Sequence, residues 1–187
     1  MGQAITMTQE QHDEDDDVLI MPPECSGQTW YCLYTRPRHE KSMARACQEL
    51  DVPHYLPLVR RVREYKSGRK ERWLPLFRGY LFCRANEHQA YELNSEKNLL
   101  SLLEVRQPQT FLEDLREVRK ALTASQELQT VPYVKEGQRV KVTGGPFKGV
   151  EGVVEEVQSG YRVFLNVGFI RRSVPLEVDA GQVEPIG

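Results

Sequence analysis

At 187 residues, 40% hydrophobic and 28% charged, the chain can build one medium domain or two small ones with real cores, which excludes a disordered or fibrous protein. Its net charge of −2 argues at face value against a polyanion-binding protein, yet the charge is segregated. Residues 1–28 hold seven acids and no Lys or Arg, whereas residues 36–84 hold 13 Lys/Arg against 5 Asp/Glu, an asymmetry that points to nucleic acid.

Residues 1–28, with their acidic run and the Pro22-Pro23 break, offer no face to bury and predict a disordered acidic tail. No stretch reaches the roughly 18 apolar residues of a membrane span, and the start lacks the basic-then-apolar order of a signal peptide. A cytoplasmic location without membrane contact is expected. Cys25, Cys32, Cys47 and Cys83 form no C-x-x-C and no zinc-ligand spacing with His, so they are expected to be reduced, with no metal.

From Trp30, the run Trp-Tyr-Cys-Leu-Tyr-Thr predicts a buried strand. Met43, Ala46, Cys47 and Leu50 recur at helical spacing and predict an amphipathic helix over Arg38–Leu50, ended by Pro53. Strand character resumes over Val52–Arg63, where Pro53 and Pro57 push it toward a sheet edge. Lys66-Ser67-Gly68-Arg69, flanked by Tyr65 and Trp73, predicts a β-hairpin over 60–74 with a basic tip. A short strand at Leu81-Phe82-Cys83, a helix over 87–96, a strand over 99–105 and a helix over 112–128 complete an α+β domain. Beyond Pro132 the texture changes to short Val-rich runs separated by Gly-Gly-Pro, Ser-Gly and Asp-Ala-Gly, the pattern of a small barrel. Its glycines, with Pro146 and Pro175, oppose any helical alternative.

An enzyme is not expected: there is no nucleophile elbow, P-loop or paired-carboxylate arrangement, and no cofactor is implied. His39, His54 and His88 are scattered, and His39-Glu40 reads as a solvated helix start. The basic segment says more. Arg60, Arg61, Arg63, Lys66, Arg69, Lys70 and Arg72, interleaved with Tyr65 and Trp73, combine phosphate-attracting cations with planes that stack on bases. Arg36, Arg38, Lys41 and Arg45 could extend the same positive surface. In Leu74-Pro75-Leu76-Phe77-Arg78-Gly79-Tyr80-Leu81-Phe82 an alternating strand cannot bury Phe77, Tyr80 and Phe82 on one face, so an exposed apolar patch for a protein partner is expected.

Three motifs in order, Trp30–Arg36, Pro75–Phe82 and Val140–Gly149 with Gly152-Val153-Val154, resemble the NusG family of transcription factors over residues 29–186. The resemblance implies a 1–28 tail, an NGN-type antiparallel sheet flanked by helices over 29–128, a flexible linker over 129–136 and a five-stranded, SH3-like KOW barrel over 137–187. It implies that Tyr34, Leu76, Phe77, Tyr80 and Phe82 form a hydrophobic cup for the clamp helices of RNA polymerase. Contacts to the non-template DNA strand would fall near Arg36, Arg38 and the basic hairpin. Phe147, Val150, Phe169, Ile170 and Arg172 would bind a small-subunit ribosomal protein or Rho, and the chain would act as a bacterial monomer. Arg78 stands where many members carry Pro. The N-terminal motifs lean toward the specialised antitermination paralogs, the favoured reading, while Gly152–Val157 and Pro175–Val178 lean toward the general elongation factor. A KOW-type RNA-binding protein of the translation apparatus is the remaining alternative.

Overall fold

The computed structural model describes residues 19, 27–65, 68–132, 137–157 and 160–186. The tail expected over 1–28 therefore lies outside the described residues apart from positions 19, 27 and 28. Leu19 is helical and fully buried, so the segment does offer one apolar contact to bury. In chain order the elements are β1 (Thr29–Thr35), α1 (Glu40–Glu49), β2 (His54–Tyr55), β3 (Leu58–Tyr65), β4 (Gly68–Pro75), β5 (Tyr80–Ala85), α2 (Glu87–Asn94), β6 (Leu99–Glu104), α3 (Pro108–Ala124), β7 (Val131–Pro132), β8 (Gln138–Val142), β9 (Glu151–Val157), β10 (Gly160–Val167), β11 (Arg172–Val178) and β12 (Val183–Pro185). They fall into two compact units, Met1–Leu56 with Arg78–Arg106 and Pro57–Phe77 with Gln107–Gly187.

The first unit is built on an antiparallel sheet of order β2-β5-β1-β6. β5 is buried from Leu81 to Ala85, as an apolar strand flanked on both edges must be. α1 buries Met43, Ala46 and Cys47, the i, i+3, i+4 stripe its sequence predicts. It closes at Leu50, whose N–H donates to the Ala46 carbonyl, and Asp51 takes a positive φ of 55° before Pro53. α2 starts at a reciprocal capping box: the Asn86 side chain accepts from the Gln89 N–H, and the Gln89 side chain accepts from the Asn86 N–H.

Cys32, Cys47 and Cys83 are free and buried. Burial pushes the Cys32 thiol up to about 12, and the hydrogen bond with Cys47, followed by burial, raises Cys83. Such thiols are poor nucleophiles and pack as small hydrophobes. Cys25 lies outside the described residues.

The second unit holds the β3–β4 hairpin, α3 and a C-terminal sheet of order β12-β8-β9-β10-β11-β7. α3 starts four residues before the predicted helix because Pro108 occupies its first turn, and its buried stripe runs from Phe111 through Leu112, Leu115, Val118 and Ala121 to Leu122. β8 to β12 are the expected five barrel strands. β7, from the segment expected to be linker, adds to the edge by pairing with Arg172 and Ser173 of β11.

The barrel admits no side chain at position 152. A Cβ on Gly152 would lie 2.6 Å from the Phe164 carbonyl oxygen and 2.7 Å from Val163 Cγ1. Gly152→Ala should therefore lower the barrel's stability by about 1–3 kcal/mol, read as a drop in the midpoint of denaturant unfolding. An unchanged midpoint would show that the β9–β10 pair separates at no cost.

Candidate functional site

Within the first unit, β1 and β5 place Tyr34 directly across from Tyr80. The two rings lie 5.0 Å apart at 33°, and Tyr34 is 40% exposed, an open position for a large aromatic ring. The end of the pair is fixed by backbone: the Thr35 N–H donates to the Gly79 carbonyl at 2.8 Å. Gly79 has φ 82°, a left-handed conformation that glycine adopts without strain, so Arg78 in place of Pro leaves the turn intact and stands exposed beside it. Glu40, expected on a solvated helix start, is instead only 4% exposed and accepts a 2.7 Å hydrogen bond from the Gly79 N–H.

The other members of the expected cup are interior residues. Phe82 is fully buried in β5, and Leu76 and Phe77 are buried in the bend that precedes it. Three large apolar side chains are hidden because Phe77 lies before the strand rather than in its alternation. The accessible part of the expected cup is therefore Tyr34 with the half-buried Tyr80, and in the run Leu74–Phe82 Leu74 is also exposed. Arg36 and Arg38 are both exposed at the start of α1, Arg38 with a positive φ of 69°.

In the hairpin of the second unit, the register pairs Arg61 with Arg72, Arg63 with Lys70 and Tyr65 with Gly68. Opposed residues share a face, and faces alternate along each strand. One face thus carries Arg61, Arg63, Lys70, Arg72 and Tyr65 with no acid. Arg60, Glu64, Arg69 and Glu71 lie on the other, with an Arg60–Glu71 ion pair at 3.8 Å. Like charges directly opposed on a sheet oppose folding by some tenths of a kcal/mol per pair, roughly, so the acid-free face is not explained by hairpin stability. Lys70 Nζ sits 5.8 Å from the centre of the Tyr65 ring.

Two hairpin cations have structural partners: Arg60 pairs with Glu127 at 3.0 Å, and Arg61 donates to the Glu127 and Leu128 carbonyls. Arg63, Lys70 and Arg72 remain as the exposed cations of the acid-free face, and Arg69 is exposed on the other. Lys66 lies outside the described residues.

Of the residues expected to recruit a partner through the barrel, Val150 and Ile170 are core, Phe147 is half-buried and Arg172 is exposed. Phe169 was expected to bind the barrel's partner. It is 37% exposed, but its ring meets Phe111 of α3 edge-on, with centroids 5.8 Å apart. Beside it the Gly168 N–H donates to Asp114 Oδ2 at 3.0 Å, and the Glu151 N–H donates to Glu117 Oε2 at 2.8 Å. Sequence periodicity gave the apolar stripe of α3 but not these two carboxylates, which only the three-dimensional packing aligns with barrel N–H groups.

Burial raises the Asp114 carboxyl from its ordinary 3.8 to about 6, against the lowering effect of the Gly168 N–H. The packed state thus binds the proton more tightly. Its stability from this group is full below pH 4 and is lost as pH rises through 6. Allowing for partial exposure, the effect is at most about 2 kcal/mol. Asp114→Asn, whose amide oxygen still accepts from Gly168, should gain stability on the wild type between pH 4 and 7 in thermal unfolding. A constant difference across that range would remove Asp114 from the contact.

Among the described residues no group of three or more His, Cys, Asp or Glu could hold a metal ion, and no helix is long and apolar enough to cross a membrane. Residues 28–119 match the family profile described as Transcription termination factor nusG, and residues 136–165 match the KOW motif. No curated protein sequence matches significantly. Among solved structures the chain is similar to one of the domain interaction in Thermotoga maritima NusG, at 20% identity and a TM-score of 0.44, over 86% of this chain and 98% of that one. It is also similar to the MjSpt4:Spt5 complex in conformation A, at 15% identity and a TM-score of 0.26, over 84% and 97% of the two chains. With a nusG-type first domain and a KOW motif following it in order, this chain belongs to the NusG family of transcription factors.

Proposed function

We propose that this NusG-family chain binds RNA polymerase through the Tyr34–Tyr80 surface, contacts the non-template DNA strand through the acid-free hairpin face with Arg36 and Arg38, and promotes processive elongation as a specialised antitermination factor. The observation that carries this reading is the aromatic pair of exposed Tyr34 and half-buried Tyr80 held by backbone hydrogen bonds, since rigid aromatics at a surface are the usual anchors of protein interfaces. Phe82, two residues beyond Tyr80 in β5, is fully buried and belongs to the interior of the same sheet. No covalent chemistry is required. A factor with higher affinity for a closed polymerase clamp than for an open one shifts the population toward the closed, elongating state.

The barrel would recruit a small-subunit ribosomal protein or Rho through Phe147, Phe169 and Arg172, and in that encounter the Phe111–Phe169 contact would have to open. Retention of the full chain on immobilised RNA polymerase tests the reading. Retention on ribosomes at high salt, with none on polymerase, would instead favour the translation apparatus.

A further inference from the structure

We infer that Glu40 is a positioning residue for the partner-binding aromatic pair: its buried carboxylate holds the Gly79 peptide so that Tyr80 stands against Tyr34. The inference rests on the proposed polymerase-binding role of that pair.

The Gly79 residue is clamped at both ends. Its N–H donates to Glu40 Oε1 at 2.7 Å, and its carbonyl accepts from the Thr35 N–H at 2.8 Å. Tyr34 immediately precedes Thr35 and Tyr80 immediately follows Gly79, so these two bonds set the offset between the rings. The space is tight, because a Cβ on Gly79 would lie 3.1 Å from Tyr34 Cε2. A displacement of the turn by a fraction of an ångström therefore reaches the Tyr34 ring directly.

Placing a carboxylate here is costly unless something compensates it. Two features do so. The charge sits in the first turn of α1, at the positive end of the helix dipole, and it accepts a backbone N–H that would otherwise be buried without a partner. A side chain serving only the stability of α1 would gain as much while exposed to solvent. Glu40 is instead drawn under a turn 39 residues away, and that turn carries the aromatic surface.

The test compares full-length Glu40→Ala, Glu40→Gln, Gly79→Ala and Tyr34→Ala/Tyr80→Ala chains for binding to purified RNA polymerase, alongside the nuclear Overhauser contact between the Tyr34 and Tyr80 rings. Glu40→Ala should weaken polymerase binding by about tenfold or more and lose the ring contact while retaining wild-type circular dichroism. Glu40→Gln, whose amide oxygen can accept from Gly79, should restore both. If Glu40→Ala fails to fold, Gly79→Ala disturbs the same turn from its other side and should reproduce both losses. Wild-type affinity and an intact ring contact in Glu40→Ala, with binding lost in Tyr34→Ala/Tyr80→Ala, would overturn the role of Glu40 alone. Unchanged binding in the tyrosine variant would overturn the polymerase-binding reading and this assignment together.

Discussion

Reversing Arg63, Lys70 and Arg72 to Glu should remove most of the chain's affinity for single-stranded DNA and flatten its salt dependence. These three cations are exposed on the hairpin face that carries no acid. If each contacts one phosphate, each contributes about 0.7 to the slope of log affinity against log salt for a single strand, so the triple variant should lose about 2. Arg61 is left in place because it donates to the Glu127 and Leu128 carbonyls, and its loss would confound DNA binding with the anchoring of that segment. Arg69→Glu, on the opposite face across from Glu64, should leave the slope nearly unchanged. Filter binding across a salt series measures both. The same slope in the triple variant and the wild type would make the hairpin a solvated face.

Tyr34→Ala/Tyr80→Ala should weaken binding to RNA polymerase by about 1–4 kcal/mol, the range of central interface anchors, or roughly fivefold to a thousandfold. Tyr34 is exposed and Tyr80 only half-buried, so the variant should fold, which circular dichroism checks. Phe77→Ala and Phe82→Ala would be poorer probes. Both side chains are buried, and truncating a buried Phe costs about 3–5 kcal/mol of stability whether or not polymerase touches it.

The hairpin was legible because its signal is local: strand-forming residues on both sides of the turn-favouring sequence Lys66-Ser67-Gly68-Arg69. Its sorting of charge was not, since which cations of Arg60–Arg72 share a face with an acid is undefined until the register sets Arg63 against Lys70 and Glu64 against Arg69. The start of α3 was misplaced because the apolar period was read from Leu112, whereas Pro108, which fits a first helical turn, begins it. At Pro75–Phe82 the residue types declared an apolar segment, but burial depends on where the bend ends and β5 begins. Glu40 was the least legible. An acidic residue at a helix start normally faces water, and its partner, the N–H of Gly79, belongs to a turn brought to it only by the pairing of β1 with β5. In the barrel, glycine-punctuated Val-rich runs left little room for a helix, and strands β8 to β12 follow that preference.

The proposed role of the Tyr34–Tyr80 surface is to couple this chain to elongating RNA polymerase. Its most direct measurement is the lifetime of a defined transcriptional pause, with purified polymerase and saturating full-length protein. The wild type should shorten the pause, and Tyr34→Ala/Tyr80→Ala should leave it indistinguishable from that of polymerase alone. A tyrosine variant that shortens the pause as well as the wild type would contradict that role.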